Sequence, residues 1–89
     1  MKAIVTVIGK DRVGIIASVC GLLSRHNVNI LDISQTILQD YFTMIMLVDT
    51  GKSEVPFTEL AAQLDQAGKE QGLSIRIQRE DIFNAMHRI

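Results

Sequence analysis

The fold of this protein is indicated by its N-terminal stretch from Ala3 to Leu23, which reads AIVTVIGKDRVGIIASVCGLL. Residues 3–8 form a run rich in β-branched side chains, which favours a buried strand over a helix. The loop 9–14 begins and ends with glycine and breaks this run. Behind the loop, apolar residues recur at helical spacing, namely Ile15, Ile16, Val19, Leu22 and Leu23. The stretch therefore predicts a β-strand, a loop and an amphipathic α-helix in that order.

Two further strands are predicted after the first helix. The segments 30–38 and 41–48 are typical of strands, and Gln39-Asp40 between them supplies a turn. One face of the first of these strands carries Ile33, Gln35 and Ile37. The region is therefore expected to form a β-hairpin.

A second helix and a last strand complete the predicted order. Pro56 stands where a first helical turn tolerates proline, and the apolar stripe behind it consists of Phe57, Leu60, Ala61, Leu64 and Ala67. Gly72 is expected to end this helix. The last strand is indicated by apolar residues that alternate with polar ones, namely Leu73, Ile75 and Ile77.

The resulting order βαββαβ predicts the α+β class and a ferredoxin-like sandwich with strand order 4-1-3-2 and both helices on one face. Strands 1 and 3 are then central, and both are apolar on both faces. Because helices cover only one face of such a sheet, the other face must meet the C-terminal tail, a second subunit or a ligand.

Length and composition limit the classes of protein that this chain represents. Eighty-nine residues make one domain, 1–89, with a hydrophobic content of 47%. Because so short a chain buries only a limited fraction of its surface, these hydrophobic residues must form a well-organised core or share it with a second subunit. Nine Lys+Arg against ten Asp+Glu give a net charge of -1, which disfavours nucleic acid as a partner.

The cysteine content indicates the cellular compartment. Cys20 is the single cysteine, which excludes an internal disulfide and suits a reducing compartment. No stretch resembles a leader or a membrane span, so a cytoplasmic location is expected.

The C-terminal tail, residues 81–89, carries apolar residues at helical spacing, namely Ile82, Phe83, Met86 and Ile89. The tail is expected either to cover the open face of the sheet or to hold a second copy of the chain. A frayed terminus is the alternative, because nine residues make only a marginal isolated helix.

The loop 9–14 is the first candidate binding site. A loop that leads from a strand into a helix presents unpaired backbone N–H groups, so the amides of Gly14 and Ile15 suit a carboxylate while Asp11 suits an ammonium group. An amino acid carries both groups. The alternative is that Asp11 only caps the first helix.

A few polar or reactive residues outside the loop were considered as site residues. The side-chain amide of Asn29 can donate to and accept from a ligand, although a role in capping the strand edge is the alternative. His26 is interpreted as a helix-end cation and not as a catalytic base. Cys20, Met44 and Met46 are interpreted as packing residues.

Three segments together, Asp11-Arg12-Val13-Gly14-Ile15-Ile16, Leu22-Leu23 and Asn27-Val28-Asn29-Ile30, resemble the signature of ACT domains. The resemblance covers nearly the whole chain, and residues 81–86 resemble the tail of small stand-alone ACT proteins. It implies a regulatory module without catalysis or cofactor, usually paired side by side, that binds an amino acid between subunits. Residue by residue, it implies ligand-binding roles for Asp11, Gly14 and Asn29, the last from the neighbouring subunit. The full set of candidate ligand-binding residues is Asp11, Arg12, Val13, Gly14, Ile15, Asn29 and Ile30.

Two positions depart from the pattern of the family. Val13 stands where many members have proline, and Gly9 stands where some serine-binding members have a ligand-contacting histidine. The identity of the ligand is therefore not carried over.

The leading functional hypothesis is a homodimer, or a higher homo-oligomer, that senses an amino acid and acts by allostery, without metal or membrane. A protein–protein interaction module with a vestigial ligand cleft is the serious alternative. An acylphosphatase-like hydrolase is disfavoured, because only Arg12 matches and the segment 41–47 lacks the expected asparagine. An RNA-binding module is disfavoured because strand 1 has no aromatic residue for base stacking.

Overall fold

The computed structural model describes residues 1–11 and 13–81. These residues form six elements in the predicted order βαββαβ: β1 (Lys2–Lys10), α1 (Ile15–Arg25), β2 (Asn29–Leu38), β3 (Tyr41–Asp49), α2 (Phe57–Gln71) and β4 (Ser74–Arg79). The strands pair antiparallel in the order β2-β3-β1-β4. The predicted ferredoxin-like sandwich is confirmed, with β1 and β3 in the centre and β2 and β4 at the edges.

The hydrophobic core lies between the helices and one face of the sheet. Alternate residues of the two central strands are buried, namely Ala3, Val5, Val7, Phe42, Met44, Met46 and Val48. They pack with the apolar stripes of both helices in one cluster, to which α1 contributes Ile15, Val19, Leu22 and Leu23, and α2 contributes Leu60 and Leu64. The interpretation of Met44 and Met46 as packing residues is confirmed.

The strand β1 continues beyond the break that the sequence predicts at Gly9. Gly9 pairs with Phe42, and Lys10 pairs with Tyr41 at the end of β3. A Cβ atom on Gly9 would collide with the side chain of Leu73, so the missing side chain allows the segment before β4 to pack closely against β1. Glycine therefore serves a close approach at this position and does not end the strand.

The face of the sheet opposite the helices is not covered by the described residues and carries apolar side chains beside polar ones such as Thr6, Thr43 and Arg76. Ile8 of β1 and Ile45 of β3 lie on this face, with 47% and 42% of their surface exposed. The predicted role of the tail falls on residues 82–89, which lie outside the described residues. No helix in the described ranges has the length and apolar character needed to cross a membrane.

Candidate functional site

A cavity of about 500 Å³ opens between the start of α1 and the second half of β2. It is lined by residues from four segments of the chain, namely Asp11, Gly14, Ile15, Ile16, Ala17, Gln35, Ile37 and Phe42. Three of the residues predicted for the binding loop, Asp11, Gly14 and Ile15, are therefore brought together. We call this space the loop cavity.

The N-terminus of α1 is left without a side-chain cap at this cavity. The N-cap residue is Gly14, whose φ of 93° lies in the left-handed region that favours glycine, and no side chain forms a capping hydrogen bond. The alternative that Asp11 caps α1 is therefore wrong. The first turn of a helix has backbone N–H groups without intrahelical partners, and together with the helix dipole they favour an anion.

A main-chain hydrogen bond anchors Asp11. Its backbone N–H donates a hydrogen bond of 2.8 Å to the carbonyl oxygen of Asp40, in the turn between β2 and β3. Beside it, Lys10 Nζ lies 3.7 Å from Asp40 Oδ2. The side chain of Asp11 is exposed, so its carboxylate is available beside the uncapped helix start.

Gln35 and Ile37 line the loop cavity but were not predicted from the sequence. Both stand on the face of β2 that lies on the helix side, because Gln35 pairs with Met44 and Ile37 pairs with Phe42, which are buried in the core. Yet α1 does not cover this part of β2, and 56% of the surface of Ile37 remains exposed. The sequence predicts that Gln35 and Ile37 share one face of β2. It does not predict that α1 leaves this part of the strand uncovered.

Asn29 lies at the other end of β2, in a second cavity of about 720 Å³. The residues that line this space, which we call the Asn29 cavity, are Met1, Ser24, Asn27, Val28, Asn29, Asp49, Gly51 and Lys52. The side chain of Asn29 makes no hydrogen bond to the described residues, so it does not cap the strand edge in this part of the chain.

Asp49 is the acidic group of the Asn29 cavity. The backbone N–H of Gly51 donates a 2.8 Å hydrogen bond to its Oδ1, and the N-terminal ammonium of Met1 lies 3.4 Å from the same oxygen. These two interactions, the Gly51 hydrogen bond first, hold the pKa of Asp49 below its ordinary value.

A single chain does not bring all the predicted site residues together. Asn29 and Ile37 are eight positions apart on β2, which corresponds to roughly 26 Å along an extended strand. Ile30 is half-buried and packs against the core, and Val13 is fully exposed without lining the loop cavity. Arg12 lies outside the described residues. One amino acid in the loop cavity is therefore too small to reach Asn29 of the same chain.

The remaining candidate residues have structural roles. His26 is the C-cap residue of α1, and its Nε2 shares a 2.5 Å hydrogen bond with Oε1 of Gln63. Cys20 is half-buried against the core, and burial raises the pKa of its thiol. Among the residues that the structure describes, no group of His, Cys, Asp and Glu side chains is arranged to hold a metal ion.

Comparisons with known proteins agree with this architecture. A family model described as ACT domain matches residues 2–78. A UPF0237 protein from Clostridium acetobutylicum is 60% identical over 89 residues, which is the whole of both chains. Among solved structures, an ACT domain protein from Streptococcus pneumoniae superposes with a TM-score of 0.82 at 44% identity, covering 98% of each chain. A formyltetrahydrofolate deformylase from Pseudomonas syringae matches with a TM-score of 0.76 at 25% identity, covering 88% of this chain and 27% of that chain.

Proposed function

Because this chain belongs to the ACT domain family, whose members are regulatory small-molecule-binding domains, we propose that it is a non-catalytic sensor of an amino acid. The ligand binds between two copies of the chain, and its binding changes the stability or the partners of that dimer. The lone Cys20 suits a reducing compartment such as the cytoplasm.

The loop cavity is the observation that carries this proposal. It places the carboxylate of Asp11 beside the uncapped start of α1 at Gly14 and Ile15. An amino acid has an ammonium group that pairs with a carboxylate and a carboxylate group that accepts hydrogen bonds from helix N–H groups. The cavity thus offers each end of the ligand a partner of complementary charge.

The exposed strand β2 supports the dimer. It is an edge strand of ten residues, and all its apolar side chains except Ile30 are exposed, including Leu38 with 71% of its surface exposed. A long apolar edge strand associates readily with another strand. Antiparallel pairing of two β2 strands about a two-fold axis would give one continuous sheet.

Such pairing also accounts for the distance between the two parts of the predicted site. In an antiparallel pair, the start of one β2 strand lies opposite the end of the other. The Asn29 cavity of one copy would therefore face the loop cavity of its partner. In this arrangement Asn29 supplies a side-chain amide to the ligand that the other copy holds at Asp11.

A site between subunits couples ligand binding to association. A ligand that contacts both copies binds the dimer more tightly than the monomer, so it stabilises the dimer by mass action. By thermodynamic linkage, any partner that prefers one state of the dimer changes the ligand affinity in the same proportion. Regulation in this scheme needs no chemical step.

Calorimetric titration with each standard amino acid, combined with a mass measurement by light scattering, tests the proposal. We expect a dimer that binds one ligand class, and we expect Asn29→Ala to weaken binding about tenfold through the loss of hydrogen bonds. A monomeric protein, or binding that survives both Asp11→Ala and Asn29→Ala, would contradict it.

Mixing two defective variants tests whether each site is shared between subunits. In a dimer of one Asp11→Ala copy and one Asn29→Ala copy, one of the two sites has both native residues. An equal mixture that exchanges subunits should therefore recover about one site in four. No recovery after complete exchange would place Asp11 and Asn29 in separate sites.

A protein–protein interaction module is a second candidate function, favoured by the open apolar face with Ile8 and Ile45. In that case the dimer forms but the titrations show no heat with any amino acid. A partner protein would then bind the open face, and Ile45→Glu would abolish its binding.

A further inference from the structure

We propose that Gln35 selects the side chain of the ligand, so that the site prefers an amino acid whose side chain is neutral and forms hydrogen bonds. This inference rests on the proposed function, because it concerns the occupant of the loop cavity. It assigns a role to a residue that neither the loop motif nor the start of β2 includes.

The position of Gln35 in the sheet leads to this inference. On β2, Gln35 stands between Ile33 and Ile37 in a row that faces the helix side. The two neighbours in the row are apolar, as expected for a face turned toward a core. Gln35 is thus a polar interruption of an apolar row, and it lines the loop cavity together with Ile37.

The side-chain amide of Gln35 is available for a ligand. It makes no hydrogen bond within the described part of the chain, although it is a side chain that can donate and accept. The wall beside it is apolar, because Ile37 and Phe42 line the same part of the cavity. An apolar ligand side chain would cover this amide without giving it a partner, whereas a hydroxyl or carboxamide group would satisfy it.

The charges of the described cavity lining disfavour other classes of side chain. Among the described lining residues, Asp11 is the one ionisable side chain. In the proposed site Asp11 pairs with the ammonium group of the ligand, so a second ammonium on a basic ligand finds no free carboxylate. An acidic side chain finds no cation among these residues and is repelled by Asp11. The neutral hydrogen-bonding side chains remain.

The test compares ligands of matched shape in calorimetric titrations. Threonine and valine differ by one hydroxyl against one methyl, and asparagine and aspartate differ in charge. The wild-type protein should prefer threonine over valine and asparagine over aspartate, each by roughly tenfold. A wild-type site that binds valine or aspartate at least as tightly as its neutral polar counterpart overturns the inference.

Two variants assign the preference to Gln35. Gln35→Met keeps the length of the side chain without its hydrogen bonds, so the preference for threonine over valine should disappear. Gln35→Glu adds a negative charge, so affinity for lysine should rise relative to asparagine.

Thr36→Val is the matched control, because Thr36 is the next residue of β2 and lies on the opposite face, paired with Thr43. Both Gln35 variants should retain the wild-type melting temperature, since Gln35 is exposed.

The outcomes separate this inference from the proposed function. If an amino acid binds and Asp11→Ala abolishes binding, while Gln35→Met leaves the threonine-to-valine ratio unchanged, Gln35 does not select the ligand and the sensor function stands. If Thr36→Val changes the ratio as much as Gln35→Met, the inference also fails. If no amino acid binds the wild-type protein, both proposals fall together.

Discussion

The backbone N–H of Asp11 donates a 2.8 Å hydrogen bond to the carbonyl oxygen of Asp40, so this contact between the loop before α1 and the β2–β3 turn depends on neither side chain. The carboxylate of Asp11 takes no part in this contact and is exposed. A site that is held in place before the ligand arrives loses less conformational entropy on binding. Side-chain substitutions at these two positions therefore separate ligand binding from loop position.

Asp11→Ala should lower ligand affinity at least tenfold while the melting temperature stays unchanged, because alanine retains the backbone N–H. Asp40→Ala is the matched control, since it removes an acidic side chain at the same end of the sheet and keeps the carbonyl acceptor. Its affinity should stay within about twofold of the wild type, because Asp40 does not line the loop cavity. Calorimetric titration measures both, and equal losses would show that general negative charge, not Asp11, attracts the ligand.

Gly68→Ala should destabilise the fold, although alanine is the better helix former. A Cβ atom at Gly68 would lie 2.7 Å from the carbonyl oxygen of Leu73, which is backbone and cannot turn away. We expect a loss of about 1–3 kcal/mol in the free energy of unfolding. Gly21→Ala in α1 is the control, because among the described residues its Cβ would meet only the Arg25 guanidinium, at 3.7 Å, and the variant should gain up to about 1 kcal/mol. Urea unfolding measures the free energy of unfolding of both variants. If Gly68→Ala stabilises the fold, the predicted clash with the carbonyl oxygen of Leu73 is wrong.

The carboxylate of Asp49 should make stability depend on pH. The Gly51 hydrogen bond and the Met1 ammonium hold its pKa below the ordinary value. The stabilisation is therefore complete above the unfolded-state pKa of about 3.9 and is lost as the pH falls through the lower folded-state pKa. The melting temperatures of the wild type and of Asp49→Asn should differ at about pH 7 and become equal at about pH 2. If the difference in melting temperature persists at about pH 2, the charge of Asp49 does not cause it.

Leu31→Lys should convert the dimer into a monomer that remains folded. Leu31 lies exposed on the edge strand β2, where lysine is a common natural means of preventing strand association. Ile8→Lys is the control, because Ile8 is a similarly exposed apolar residue on the open face of the sheet. Light scattering at several concentrations measures the mass of each. If Ile8→Lys alone dissociates the dimer, the copies associate through the open face and not through β2.

Removal of residues 82–89 tests the predicted role of the tail. If the tail covers the open face, Ile45→Ser should cost about 1–2 kcal/mol of unfolding free energy in the full chain and much less in the truncated chain. Ile37→Ser is the control, since Ile37 is also exposed but lies on the helix side. Its cost should be the same in both chains. Equal costs of Ile45→Ser in both chains would mean that the tail does not contact the open face.

Most of the fold was predictable because burial follows local periodicity. The stripe that includes Leu60 and Leu64 predicted the buried face of α2, and the structure confirms both residues as buried. The sequence of β3 is apolar on both faces and did not decide which face meets the helices. Gly9 was interpreted as the end of β1, yet the strand continues to Lys10. That difference arises from Leu73, a residue distant in sequence whose side chain occupies the space beside Gly9.

The candidate site was predictable only in part. The loop residues Asp11 and Gly14 could be identified because a glycine-bounded loop before a helix has a recognisable pattern. Gln35 could not, because a polar residue in an edge strand is common and carries no signal of its own. Gln35 becomes a candidate site residue because α1 does not cover this part of β2, so that Gln35 lines the loop cavity.

The sequence by itself determined the order of the elements, the central and edge positions of the strands and the apolar stripes of the helices, since each follows from spacing along the chain. Only the tertiary structure decided that Asp11 and Gln35 line the same cavity, that Asn29 lies at the opposite end of β2, and that Gly68 has no room for a side chain. These relationships are distances between segments far apart in sequence. They depend on how helices and strands pack in three dimensions, and local periodicity does not encode that packing.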